Sequence, residues 1–333
     1  MKILVTGGCG YIGSHTCVEL LEHGYEVIVV DNLVNSKKEV INKIEKITGK
    51  SVIFYEGNVQ DEEFLISIFK EHKIDAVIHF AGLKAVGESV KKPILYYQNN
   101  LDSTLVLLKV MEQFAVKKII FSSSATVYGS KNKVPFKESD SVGGTTNPYG
   151  TSKLFIEHIL EDLVVADPEF HVVILRYFNP IGAHKSGLIG DNPNGIPNNL
   201  MPYITKVAVA ELECLNVFGN DYPTKDGTGV RDYIHVVDLA IGHVKALDKV
   251  IKEPGIHVYN LGTGTGYSVL EIVENFEKEN QIKIPYVIKA RRDGDIAECY
   301  ADVSKAEKEL GFKAKYGIQD MVRDSYQFYI KNK

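Results

Sequence analysis

The stretch KILVTGGCGYIGSHTCVELLEHG at residues 2–24 limits the choice of fold more than any other part of the chain. KILVT is a run of β-formers, the residues from IGSHTC onward read as a helix, and Gly7, Gly8, Gly10 and Gly13 lie at the junction. Glycines there permit a tight turn and let amides at the helix N-terminus approach a pyrophosphate. A glycine string alone is weak evidence. Here a strand precedes it, a helix follows, and Asp31 ends the next β-run 18 residues beyond Gly13. A carboxylate at that point bonds the ribose hydroxyls of NAD and repels the 2′-phosphate of NADP, so NAD is the expected cofactor, with Lys37 and Lys38 nearby as the opposing signal.

The alternation continues with EVIVVD and KEVINKIEKITG, SVIFYEG and EFLISIFKEHK, DAVIHFAG and LDSTLVLLKVMEQF, then KKIIFSSS. Continuous apolar strands joined by amphipathic helices predict a parallel sheet covered on both faces. With a helix from Tyr149 and a strand at HVVILRYF, residues 1–180 read as a Rossmann-type α/β domain, a doubly wound parallel sheet. Past Asn179 the texture changes: glycine, proline and asparagine crowd into PIGAHKSGLIGDNPNGIPNN. Mixed patterns follow, among them LMPYITKVAVAEL, VVDLAIGHVKALDKVI, HVYNLG and DMVRDSYQFYIKN. Residues 181–333 are therefore expected to form mainly a smaller mixed α/β substrate domain, with a strand or helix able to return to the first. The active site belongs in the cleft between the two parts.

Composition excludes several classes. With 44% hydrophobic and 24% charged residues the chain is an ordinary globular protein, and a net charge of −5 argues against nucleic-acid binding. No apolar run approaches the roughly 18 residues that span a membrane, and MKILVTGG runs into a strand without signal-peptide features. Cys9, Cys17, Cys214 and Cys299 are scattered without a CxxC pair, and the ten histidines show no HExxH spacing. A cytoplasmic protein with reduced thiols and no metal is the expectation.

The string NPYGTSK at 147–153 places Tyr149 and Lys153 four apart just after a proline. Pro148 suits the first turn of a helix, so both side chains share one face, with Cβ atoms about 5–6 Å apart. A phenol ionises near pH 10, and a neighbouring cation draws it down, so the pair can act as a base. Taken alone, most such strings are a half-buried tyrosine and a solvated lysine.

Together TGGCGYIG, FAGLKAVGES, FSSSATVYG and NPYGTSK resemble the extended short-chain dehydrogenase/reductase family. RYFNPIGAH, GIPNNLMPY, FGNDYPTKDGTGVRDYIHV and RRDGD narrow the resemblance to its UDP-glucose 4-epimerases, and these strings spread over nearly the whole chain. The resemblance implies NAD-dependent inversion at C4 of UDP-glucose and UDP-galactose through a 4-keto sugar, and a homodimer. Ser124 is then expected to bond the sugar O4, Tyr149 to remove its proton, and Lys153 to hold the nicotinamide ribose and lower the tyrosine pKa.

The resemblance further implies NAD contacts from Gly7, Gly10, Tyr11, Ile12 and Gly13, and from Asp31, Asn32, Asn35 and Ser36 after the second strand. Asn58 and Val59, then Phe80, Ala81, Gly82 and Lys84 around FAGLK, add to that set. Asn99, Ser124, Tyr149, Lys153 and Phe178 complete it. His79 and the Phe80 ring read as packing, with the backbone of FAGLK lining the site. The UDP-sugar falls to Lys84, Ser124, Tyr149, Asn179, Asn199, Leu200, Asn216, Val217, Phe218, Arg231, Arg292, Asp295 and Cys299. Arginine forks suit a diphosphate. Simple ion pairs, Arg231 with its neighbour Asp232 and Arg292 with Asp293, compete with that role, and Ser122 and Ser123 read as strand-end structure.

Two positions depart from the pattern. Asn58 in EGNVQD stands where an aspartate is usual, and Cys299 stands where members restricted to unsubstituted sugars carry tyrosine. A thiol frees space beside the sugar C2, which implies activity on UDP-N-acetylglucosamine and UDP-N-acetylgalactosamine as well. A sugar 4,6-dehydratase needs an acid–base pair after the serine, but Ala125 and Thr126 stand there. A UDP-glucuronate decarboxylase and a silent NAD-sensing protein are the other readings; the latter would be expected to lack Tyr149 or Lys153.

Overall fold

Each apolar β-run of the N-terminal half becomes a buried strand, and each amphipathic run becomes a helix that covers it. The computed structural model describes residues 1–193, 197, 199–292 and 294–333. The chain alternates β1 (Lys2–Thr6), α1 (Tyr11–Glu22), β2 (Glu26–Asp31), α2 (Glu39–Thr48), β3 (Ile53–Glu56), α3 (Glu62–Glu71) and β4 (Ala76–His79). It continues through α4 (Val86–Lys91), α5 (Pro93–Gln113), β5 (Lys118–Ser124), a 3₁₀ turn (Ala125–Tyr128), α6 (Pro148–Ala166) and β6 (His171–Tyr177).

Successive strand side chains point to opposite faces. Ile3, Val5, Val27 and Val29 accordingly join one core with residues of α1, while Leu4, Ile28 and Val30 join the other with residues of α3 and α5. All pairings in this sheet are parallel.

The second half opens with β7 (Asn179–Ile181), α7 (Leu200–Ala208), β8 (Leu215–Phe218) and β9 (Val230–His235). There follow α8 (Val236–Lys252), β10 (Gly255–Leu261), β11 (Gly266–Ser268), α9 (Val269–Asn280), β12 (Tyr286–Lys289), β13 (Glu298–Cys299), α10 (Ser304–Leu310) and α11 (Ile318–Lys331). Strand β9 is the hub of the smaller domain, pairing with β7, β11 and β13, while β8 pairs with β12. Its core gathers Ile181, Met201, Ile204, Leu215, Tyr233, Ile272, Phe276 and Met321.

Two segments of this half lie with the large sheet. Helix α8 packs on α1, and β10 pairs with β6 from Gly255↔His171 to Leu261↔Tyr177, covering backbone groups that an edge strand would leave unpaired. The seven-stranded order is β10-β6-β5-β4-β1-β2-β3. Its direction of winding reverses between β1 and β4, and ligands of doubly wound sheets bind outside the carboxyl ends of the strands at such a point. Among the described residues no helix is long and apolar enough to cross a membrane.

Candidate active site

The glycine loop caps that reversal point. Gly7 has φ +72°, and a Cβ there would lie 2.9 Å from the Ala81 nitrogen, so a side chain would be strained and would push the loops after β1 and β4 apart. A Cβ on Gly13 would run into the Gly7 carbonyl, while Gly10 caps α1 in extended backbone. Asp31 is buried and accepts from Cys9 N at 2.9 Å, Leu33 N at 2.9 Å and the Ser36 hydroxyl at 2.8 Å. The carboxylate thus fixes both loops and uses three of its roughly four lone-pair positions.

Asn32 accepts from Val34 N at 3.2 Å, and Asn35 is exposed beside it. Asn58 is exposed and exchanges bonds with Gln60, while the Val59 side chain is buried in the core and has only its backbone to offer a ligand. Ile12 packs on the other core face, and the Tyr11 hydroxyl donates to Gly182 O at 2.7 Å.

The loop after β4 is held by a residue that sequence reasoning missed. Asn100, not Asn99, is buried: its Oδ1 accepts from Leu83 N at 2.7 Å, and its Nδ2 donates to Leu83 O at 3.1 Å and Ser152 Oγ at 2.9 Å. Asn99 is half-buried next to it. His79 bonds Thr6 and Thr104, and burial pushes it down to about 3, so it is a neutral packing group. The Phe80 ring lies 4.8 Å from that of His243. Lys84 is exposed, 6.0 Å from the Tyr11 ring. It also faces Asp191, another residue that sequence reasoning missed; burial raises that carboxyl while Lys84 and a hydrogen bond from Asn199 lower it.

Beyond the sheet, Asn147 caps α6 by accepting from Gly150 N at 2.9 Å, and Pro148 occupies the first turn. This delivers Tyr149 and Lys153 toward the end of β5. Of three successive serines there, Ser122 bonds the Tyr177 hydroxyl and Ser123 the Glu157 carboxylate, while Ser124 faces the Tyr149 phenol and favours its ionised form. Ser124 Oγ accepts from Thr126 N at 3.3 Å and Thr126 Oγ1 at 3.0 Å, so its own proton is free to point at Tyr149 or at a substrate oxygen.

The expected pull of Lys153 on the phenol is not what this geometry gives. Lys153 Nζ donates to Ser122 O at 2.8 Å and lies 4.7 Å above the Phe121 ring. Burial raises Tyr149, and the opposing influence is the Ser124 hydrogen bond. Lys153, 5% exposed, is itself drawn down to about 8 by burial, against the favourable charge of Glu157.

On the smaller domain Arg231 and Arg292 converge on one carboxylate. Arg292 Nε donates to Asp295 at 2.9 Å, and Arg231 Nη2 lies 3.9 Å from it. The competing Arg231–Asp232 pair does not form: Asp232 is buried and accepts from Thr263, Gly264 and Ala301 amides. Asp293 lies outside the described residues, as do parts of the GIPNN segment.

Arg292 also stacks over Phe218 at 5.0 Å. Neighbouring Val217 is buried in the core, and Asn216 donates to the Tyr203 hydroxyl at 3.3 Å. Asn199 caps α7 and Leu200 opens it, with no side-chain bond from Asn199 to the helix amides. Phe178 is buried between Phe136 and the strand end, and Asn179 is exposed at the start of β7. Cys299 is half-buried and pairs with Arg231 across β13 and β9. No group of three or more possible metal ligands occurs among the described residues.

A helix that brings tyrosine and lysine to a parallel sheet's reversal point, opposite a strand-end serine, marks an extended short-chain dehydrogenase/reductase. The chain matches the GDP-mannose 4,6 dehydratase family over residues 4–325. It is 61% identical over 332 residues to the UDP-glucose 4-epimerase of Bacillus subtilis, covering 100% of this chain and 98% of that one. The structure of UDP-glucose 4-epimerase from Bifidobacterium longum in complex with NAD+ and UDP has a TM-score of 0.97 at 61% identity, covering 100% and 99% of the two chains. The UDP-Glc/GlcNAc 4-epimerase of Campylobacter jejuni has a TM-score of 0.86 at 35% identity, covering 100% and 99%. The chain belongs to the UDP-glucose 4-epimerases of that family.

Proposed function

We propose that this chain is an NAD-dependent isomerase that inverts C4 of UDP-glucose and UDP-galactose. The observation that carries the reading is the Ser124 hydroxyl facing the Tyr149 phenol, with buried Lys153 one turn on, beside the glycine loop. The cradle fits a dinucleotide: Gly7 and Gly13 leave the room a Cβ would fill, α1 aims its free amides outward, and Asp31 keeps an unused acceptor position for a ribose hydroxyl. Bound there, NAD supplies a hydride acceptor that is restored when hydride returns to the opposite face of the sugar.

In this reading Ser124 donates to the sugar O4 and Tyr149 takes the O4 proton as C4 becomes a ketone, then returns it. Against burial, Ser124 stabilises the phenolate, while the Lys153 ammonium, anchored on Ser122 O, is placed to hold the nicotinamide ribose. Arg231 and Arg292 exchange Asp295 for the diphosphate. Ala125 offers no acid, and Thr126 is engaged by Ser124, so dehydration at C6 lacks its proton donor.

Residues 1–180 with the return of α8 and β10 serve the dinucleotide, and the remainder serves the nucleotide sugar. A homodimer forms through apolar side chains left exposed on α5 and α6, Ile94, Leu95, Leu105 and Phe155, and the protein acts in the cytoplasm, in keeping with four free cysteines. The test is conversion of UDP-galactose by purified protein without added NAD, followed by the anomeric proton signals. No conversion, even with NAD supplied, overturns the reading.

The pocket also admits 2-acetamido sugars, because a thiol at Cys299 occupies less space than a phenol ring. Cys299→Tyr is expected to abolish turnover of UDP-N-acetylgalactosamine while sparing UDP-galactose. Equal loss on both substrates would remove the steric argument.

A further inference from the structure

Three elements bring the proton-handling groups together, and one carboxylate touches all three. Glu157 lies one turn beyond Lys153 on α6 and is 1% exposed. It accepts from Arg176 of β6, Nε at 3.1 Å and 3.2 Å and Nη2 at 2.6 Å, and from the Ser123 hydroxyl of β5. Ser123 and Arg176 are direct ladder partners, one residue before Ser124 and two before Phe178. The guanidinium lies 4.9 Å from the Tyr128 ring, whose hydroxyl donates to Asn260 of β10 at 2.7 Å.

A buried charge with one partner removed is costly, so Glu157 and Arg176 hold each other in place. We propose that Glu157 and Arg176 are a positioning pair for Lys153, fixing α6 against β5 and β6 with a carboxylate held one turn beyond the lysine. The inference rests on the reading of Lys153 as the site's catalytic ammonium, one turn from Tyr149 on α6.

The other titratable groups around this point are uncharged at neutral pH. His79 of β4 senses Lys153 and is held neutral by burial. Tyr177 of β6 and Tyr96 of α5 both feel Tyr149, and burial raises all three phenols. Of these neighbours, Glu157 alone opposes the lysine charge.

Opposite substitutions therefore have opposite signs. Glu157→Gln leaves an unpaired guanidinium near Lys153, which disfavours the ammonium, so the alkaline limb of kcat/KM for UDP-galactose moves down by about one pH unit. Arg176→Met leaves an unpaired carboxylate and moves that limb up. Glu157→Asp keeps the charge and holds the limb near wild type even where the rate falls. The double variant Glu157→Gln/Arg176→Met removes both buried charges and gives a limb between the two single variants, which keeps the test open if one of them does not fold. Loss of rate with unmoved limbs, while wild type turns over, overturns the positioning pair alone. A wild type without turnover overturns the epimerase reading itself.

Discussion

The group proposed to handle protons and the group proposed to face the diphosphate are built on opposite terms. Ser124 and Lys153 are 8% and 5% exposed and held by partners from several elements, whereas the side chains of Arg231 and Arg292 are 19% and 53% exposed and share Asp295. In the first region Ser124 and Lys153 are largely shielded from water, with Tyr149 half-buried beside them, so charges act more strongly and ionisation is displaced. In the second, solvent and salt screen the arginines. Substitutions in the first should therefore act on the chemical step, and those in the second on binding.

The sharpest test of that division is Tyr149→Phe. Removing one hydroxyl from a packed site leaves the fold and the NAD cradle in place but removes the proton acceptor, so kcat should fall by about 10³-fold or more, equivalent to about 4 kcal/mol. Single-turnover spectroscopy of bound cofactor, together with rate measurement, checks it. A tenfold effect would mean that another group takes the O4 proton.

Next in size is a stability effect at Lys153. A lysine in an unfolded chain ionises near 10.4, and in the folded protein burial brings Lys153 to about 8. Between those values the unfolded chain binds more protons, so the cost of burying the ammonium is present in full below about pH 8 and is relieved as pH rises toward about 10. At about 1.4 kcal/mol per pH unit the cost approaches about 3 kcal/mol. Lys153→Met should therefore exceed wild type in stability at pH 7, by urea unfolding, and lose most of that advantage by about pH 10. Wild-type activity should fall over the same range as the ammonium is lost. A pH-independent difference would show that Lys153 is not desolvated.

What the sequence makes legible divides along the same line. The glycine loop, the β1–α1 junction and the Tyr149–Lys153 pair are set by neighbours within one or two turns, and local patterns report them. The return of β10 to β6, the Asn100 clamp and the facing of Asp191 by Lys84 join residues far apart in the chain, so no local period announces them. A signal for Glu157 and Arg176 did exist. A glutamate on the inward face of α6 and an arginine inside HVVILRYF are charges in apolar settings, and such charges require a partner. Adjacency in sequence does not make a pair of Arg231 and Asp232, because it places strand side chains on opposite faces: Arg231 meets Asp295, while Asp232 points into the smaller domain's loops.

The smallest expected effects separate the two arginines. Arg231 Nη1 is anchored to Val230 O at 2.8 Å, beside Cys299, so its fork is already oriented and little side-chain entropy remains to be lost on gripping an oxyanion. Arg292 is mostly in solvent, steadied by Phe218 and Asp295, and contributes a screened charge. Arg231→Ala should raise KM for UDP-galactose by about 10²-fold and Arg292→Ala by less than about 10-fold, with kcat little changed in both. Raising salt from 0.05 M to 0.5 M should weaken the contribution of Arg292 more than that of Arg231, because the exposed charge is the one that mobile ions reach. Equal losses and equal salt dependence would mean that both guanidinia are buried against the diphosphate once the sugar nucleotide is bound, and the division between a rigid interior and a screened rim would then hold only for the free protein.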